Sequence, residues 1–222
     1  MTRVVLKLGG RVAADAARQA LDLAEAGHEV IVVHGAGPQI TAELARRGIP
    51  AQFVDGRRVT DARTLEIVRE SLIAVGAEVS AALGPTATQL AGDEIGLRAR
   101  RLAVIGFVGD PIPCRPPAIE LALERGQIPV VAPLAVGPLN VNADEAAAAL
   151  AVGLGAGKVV FETDVPGVLV DGELVDRLDV SVASRMLRDG ELEGGIVPKL
   201  FAAVRAARLG VQVEIGATEV LA

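Results

Sequence analysis

The feature that most constrains this chain is its alternation: strand-length apolar runs recur along it, separated by stretches with helical periodicity. "VVLKL" (residues 4–8) is followed by an Ala-rich helical stretch over 13–26, ending at Gly27. "EVIVVHGAG" then runs into a glycine turn, Pro38 suits a first helical turn, and "QITAELARRG" continues as a helix stopped by Gly48. Further along come a helix "AIELALERG", a buried strand "IPVVAPL", a helix "NADEAAAALAVGLGAG", a strand "KVVFETDV", a helix "VPKLFAAVRAARLG" and a last long strand "VQVEI". Near-continuous apolar strands separated by helices predict an α/β fold, a mainly parallel sheet with helices on both faces.

The middle of the chain is less regular. "IPAQFVDGRRVT" reads as short strands or a hairpin, and "DARTLEIVRESLIAVGAEVSAAL" as a helix capped by Asp61 and interrupted near Gly76. Residues 84–117, rich in Gly and Pro, are expected to form hairpins and loops. A shallow boundary near residues 136–139 divides the chain into lobes 1–137 and 138–222.

Composition narrows the function classes. The chain is 51% hydrophobic but only 2% aromatic, so its core is aliphatic. A net charge of −6 without stacking aromatics argues against a nucleic-acid surface. The single cysteine, Cys114, excludes an internal disulfide, and no Cys/His cluster offers a structural zinc site. Lys7 breaks the first apolar run, so the start is not a signal peptide. The longest run of small apolar residues, 146–157, falls short of the roughly 18 that suggest a membrane span. These features lead us to expect a soluble cytoplasmic protein.

Lysine is scarce: Lys7, Lys158 and Lys199 stand against 19 arginines. A lysine offers a compact point charge where arginine offers a planar fork. Lys7 lies inside an apolar run just before Gly9 and Gly10, where a buried ammonium needs a partner. Turns such as "KLGG", "VVHGAGP" and, less tightly, "TDVPG" present backbone N–H groups to anions, although any α/β fold also needs glycines at strand ends. "GLGAGKV" fails as a P-loop, because Val152 stands where its first glycine belongs and Val159 replaces Ser/Thr. Asn140, Asn142 and Asp144 open a helix with more polar groups than capping needs. In "EGGIVPKL", Lys199 falls near a positive helix end, where a cation calls for a nearby anion such as phosphate. His34 reads as structural, Cys114 as an incidental loop residue and Lys158 as surface or structural.

Taken in order, "KLGG", "VVHGAGPQI", "GRRVTD", "NVNADEAAAALA", "TDVPGVL" and "GGIVPK" resemble the amino-acid kinase family over residues 4–213, and within it the branch that phosphorylates N-acetyl-L-glutamate in arginine synthesis. The resemblance implies an αβα sandwich with the acyl amino acid in the N-terminal lobe and ATP, with Mg²⁺, in the C-terminal lobe. It implies that Lys7 and Lys199 stabilise the transferring phosphoryl group while Asp144 holds both lysines. Ala36, Gly37, Arg58 and Asn140 would bind the acyl amino acid, Arg58 by its carboxylate. Gly9 and Gly10 would donate N–H groups to ATP, which Asp164, Val165, Pro166, Gly167, Val168, Leu169, Glu191, Leu192 and Glu193 would line. Two departures stand out. Ala36 replaces the usual middle glycine, which strains the backbone if φ is positive there, and the C-terminus lacks a helix before the final strand, which would alter the packing of the ATP lobe. The chain also starts at its first strand, without the N-terminal helix of hexameric, arginine-inhibited relatives, so a homodimer insensitive to arginine is expected. Rival readings are a kinase acting on carrier-linked glutamate or aminoadipate, and a non-catalytic ligand-binding protein of the same fold.

Overall fold

The computed structural model describes residues 2–9, 14–163, 165–170 and 172–222. The first half of the chain contributes β1 (Arg3–Leu8), α1 (Ala14–Glu25), β2 (Glu29–His34), α2 (Gly37–Arg46), a hairpin of β3 (Phe53–Val54) and β4 (Arg57–Arg58), and α3 (Ala62–Leu83). Then come β5 (Ala87–Ala91), α4 (Gly92–Ile95), β6 (Ala99–Arg101), β7 (Val108–Pro111), α5 (Pro117–Glu124), β8 (Ile128–Ala132), β9 (Leu134–Ala135) and β10 (Leu139–Val141). The second half adds α6 (Ala143–Gly153), β11 (Lys158–Phe161), β12 (Leu169–Val170), β13 (Glu173–Leu174), β14 (Arg177–Asp179), α7 (Val180–Asp189), α8 (Ile196–Ala207), β15 (Gln212–Ile215) and β16 (Thr218–Leu221).

One eight-stranded sheet, in the order β14-β16-β15-β11-β1-β2-β8-β5, spans the molecule. Its strand pairs are parallel except β15 with β16. Strands from the two halves of the chain meet at β1 and β11, where Val5 lies beside Val159 and Lys7 beside Phe161. Alternation along each strand then sorts side chains into two cores. Val4, Leu6 and Leu8 pack with the helices α1, α2 and α3, while Val5 packs on the opposite face with α6 and α8. Lys7 shares the parity of Val5, so it emerges at the carboxyl end of β1 on the α6 and α8 side.

Three local expectations change. α3 is one unbroken 22-residue helix through Gly76. A Cβ at Gly76 would lie 2.7 Å from Gln89 Nε2 and 3.0 Å from His34 Nε2, so the glycine allows the helix to approach the sheet rather than ending it. Asp61 caps α3 as expected, accepting from Thr64 N at 2.7 Å. The segment 84–117 holds the expected hairpin, β6 antiparallel to β7, but also more: "ATQLA" forms β5, a parallel edge strand of the main sheet. Only one neighbour covers it, so its residues are mixed rather than uniformly apolar. The third change concerns the C-terminus, where Thr218–Leu221 forms β16, antiparallel to β15 and parallel to β14. That side of the sheet is therefore extended by β16 and β14 without a helix between β15 and β16.

Candidate active site

Four chain segments converge at the carboxyl ends of β1 and β2. α6 begins at Asn142, whose side chain accepts from the backbone N of Asp144 and Glu145 and so fixes the first turn. Asp144, in that turn, is buried, and the helix dipole favours a carboxylate there. The ammonium of Lys7 lies 2.9 Å from Asp144 Oδ1. That of Lys199, in the first turns of α8, lies 3.4 Å from the same oxygen. One carboxylate thus serves two ammonium groups and leaves a surplus positive charge in a site where Lys7 is 6% exposed. Burial pushes the Lys7 ammonium below the usual lysine range; Asp144 opposes that shift and Lys199 adds to it.

The triad separates two cavities. One, of about 250 Å³, is lined by Lys7, Asp144, Ala36, Gly37, Arg58 and Asn140, among others. The other, of about 460 Å³, is lined by Lys199 together with Val165, Gly167, Leu169, Glu191, Leu192 and Glu193. Most of the residues expected to bind acyl amino acid and ATP are therefore brought together in two neighbouring spaces, whereas Gly9 lines neither. Pro166 and Val168 stand behind the second: Pro166 O accepts from Ala217 N, and Val168, fully buried, donates its N–H to Thr218 Oγ1 at 2.8 Å. Gly10 and Asp164 lie outside the described residues.

Arg58 is 7% exposed and has no carboxylate partner among the described residues. Its Nη2 donates to Thr41 Oγ1 at 2.9 Å and to Gly37 O at 3.3 Å, its Nη1 is buried without a partner, and the Phe53 ring lies 4.6 Å away. Burial lowers its pKa. Such a guanidinium calls for an anion delivered from outside. Asn140, across the cavity on β10, donates Nδ2 to Thr60 Oγ1 at 3.1 Å, and Thr60 donates in turn to Arg58 O at 2.7 Å.

Ala36 is unstrained, because its φ is −139°. Gly37 has negative φ and open space where a Cβ would stand, and so has Gly9. Neither needs glycine for its backbone or for protein packing, so the missing side chains leave room and exposed N–H groups. α8 likewise begins at Gly195 without a side-chain cap. Strand β16 supports this region, since the Thr218 hydroxyl that accepts from Val168 N also donates to Val175 O at 2.6 Å.

Sequence reasoning passed over Thr60, Gly195 and the ion pair of Arg57 with buried Glu145, 2.7 Å apart. Burial raises the pKa of Glu145, opposed by Arg57. Only the doubled arginine in "GRRVT" and the second acid in "NADE" could have signalled that pair. Lys158 pairs with Glu214 at 2.5 Å and is structural. His34 is fully buried, and neither ring nitrogen makes a well-formed hydrogen bond among the described residues.

A parallel sheet closed by α6 and α8, with two lysines on one aspartate between two cavities, defines a phosphoryl-transfer architecture. The chain belongs to the amino acid kinase family, whose model matches residues 2–216. Within that family it is similar to the acetylglutamate kinase of Rubrobacter xylanophilus, 42% identical over 226 residues that cover 97% of this chain and 88% of that protein. It is also similar to the acetylglutamate kinase of Synechococcus sp. strain JA-2-3B'a(2-13), at 36% over 94% of this chain and 74% of that one. Among solved structures, smu.665 from Streptococcus mutans UA159 superposes with a TM-score of 0.91 at 29% identity, covering 99% of this chain and 98% of its own. N-acetylglutamate synthase from Neisseria gonorrhoeae, complexed with coenzyme A and N-acetyl-glutamate, gives 0.83 at 25% identity over 100% of this chain and 59% of that chain. Carbamate kinase from Giardia shares the fold, with a TM-score of 0.72 at 15% identity.

Proposed function

We propose that this protein transfers the γ-phosphoryl group of ATP to the side-chain carboxylate of N-acetyl-L-glutamate, giving an acyl phosphate and ADP. The observation that carries this reading is the pair of lysines on one Asp144 oxygen, one ammonium facing each cavity. A carboxylate is already nucleophilic and needs no base; its difficulty is approaching a polyanion. Catalysis then rests on positioning and on neutralising charge. Lys7 meets the attacking carboxylate and the transferring group, Lys199 meets the phosphates of ATP, and Asp144 holds the two ammoniums at one point. Arg58 grips the α-carboxylate of the acyl amino acid, which supplies the anion its buried guanidinium lacks. Asn140 and the N–H groups at Ala36 and Gly37 orient the remainder of that substrate.

Mg²⁺ would enter with ATP and neutralise its phosphates. The described residues contain no cluster of three His, Cys, Asp or Glu to hold a metal alone, which fits an ion carried mainly by phosphate oxygens. No helix among the described residues is long and apolar enough to cross a membrane; we read the enzyme as cytoplasmic on its family resemblance. We read the protein as a homodimer, on its family resemblance.

A coupled ADP-release assay tests the proposal by comparing N-acetyl-L-glutamate with glutamate, aspartate and aminoadipate. Turnover with N-acetyl-L-glutamate at least 100-fold above the others is expected; equal or greater turnover with a free amino acid overturns the reading.

A further inference from the structure

A third cavity, of about 610 Å³, is larger than either of the two that meet at the triad. It lies along another face of α8. Val197, Phe201, Val204 and Arg208 line it, whereas Gly195, Ile196 and Lys199 face the nucleotide cavity. α7 supplies Ser184, Leu187 and Arg188, the β3–β4 hairpin supplies Arg57, and α6 supplies Glu145.

Four arginines line this space, and two are already neutralised: Arg57 by Glu145 at 2.7 Å and Arg205 by Asp110 at 2.8 Å. The other two are not. Arg208 donates to the Ser184 hydroxyl at 2.9 Å, and that hydroxyl donates its proton to Val180 O. Arg188 follows Ser184 by one helical turn and has no partner among the described residues. Two guanidinium groups without carboxylate partners among the described residues therefore line the cavity with Ser184, and Asp55 lines it at the hairpin end. Beside them lie Leu187, Val204 and Phe201, whose ring is on a residue 43% exposed. Arg188 and Arg208 are both exposed, and positive charge next to an apolar wall favours an organic anion over an inorganic one.

The position of the cavity gives it a route to the chemistry. Arg57, Glu145 and Pro198 in its wall are the immediate neighbours of Arg58, Asp144 and Lys199. Gly56 of the hairpin also lies against Pro198. An occupant would bear on the elements that hold both the substrate guanidinium and the triad.

We propose that this cleft is an effector site for a small organic anion with an apolar body. A short-chain monocarboxylate is its minimal form, with the carboxylate on Arg188 and Arg208 and the chain on Phe201, Leu187 and Val204. The site goes beyond the proposed reaction, and its binding test needs no turnover. Calorimetric titration of the full chain uses hexanoate as probe, with acetate as the head alone and hexanol as the tail alone. Hexanoate binds at least tenfold more tightly than either control. Arg188→Glu/Arg208→Glu weakens it at least tenfold, and so does Phe201→Ser, which keeps the test open should the double variant fold poorly. Saturating hexanoate shifts the KM for N-acetyl-L-glutamate or ATP at least threefold in the wild type and not in the variants. Equal binding of acetate, no binding, or binding that survives both variants overturns the site. Binding that leaves both KM values unchanged overturns its link to the active centre. Failure of N-acetyl-L-glutamate turnover with hexanoate still bound would count against the proposed reaction, not against this site.

Discussion

Lys199 reaches Asp144 from the side of the cavity where the proposed reaction places the nucleotide, so on that reading its loss removes charge where the transferring group develops it. Lys199→Ala should lower kcat by about 10²–10³-fold, the range for removing one oriented charge donor, while the KM for N-acetyl-L-glutamate changes little. Unchanged turnover in steady-state assays would refute the role of the triad. Arg58 answers differently, because the proposed reaction has it meet the substrate before phosphoryl transfer. Arg58→Gln should raise the KM for N-acetyl-L-glutamate about 10–100-fold, as expected for a charged hydrogen bond of roughly 1.5–3 kcal/mol, and leave the KM for ATP in place. His34 reports on the fold instead. Burial lowers its pKa to about 4, so the folded protein resists a proton that the unfolded chain accepts near 6.5. The stability advantage of neutral His34 is present above 6.5 and is lost as pH falls from 6.5 toward 4. Between pH 7 and pH 5, wild type should lose about 2 kcal/mol of unfolding free energy more than His34→Asn does in urea titrations. At this scale the sequence was legible where scarcity marked function: two of three lysines fall at the triad. Thr60 was not legible, because its value lies in linking Arg58 O, two residues away, to Asn140, 80 residues away.

Helices and strands followed the apolar pattern wherever an element is buried on a full face. The pattern failed at β5, which has one strand neighbour and therefore weak hydrophobic selection, and at Gly76, where a residue that usually signals an interruption is instead a contact. Gly76→Ala makes the second point measurable. Overpacking costs about 1–3 kcal/mol and improved helix propensity returns about 1, so a net loss of roughly 1 kcal/mol is expected in denaturant unfolding. A stabilised variant would mean that the helix can move off the sheet. At the start of α2 the pattern misled in the other direction. The alanine at position 36 invited an expectation of strain, yet with φ at −139° it fits, so Ala36→Gly should leave kcat/KM within about twofold.

Over the whole molecule, alternating strands and helices specified a parallel αβα sandwich, and the continuous sheet places residues from both halves of the chain at one seam. What the pattern could not supply was distance: that Lys7 and Lys199, 192 positions apart, share one carboxylate oxygen follows only from β1 lying beside β11 and from α6 packing on α8. The assembly is testable at the same scale: light scattering should report a dimer, and a hexamer or inhibition by arginine would contradict it. The most direct test of the central claim traps the product itself. Incubation with ATP, Mg²⁺, N-acetyl-L-glutamate and hydroxylamine should yield the N-acetylglutamyl hydroxamate in step with ADP, because hydroxylamine captures an acyl phosphate. ADP release with no hydroxamate, or hydroxamate formed from another carboxylate but not from N-acetyl-L-glutamate, would contradict it.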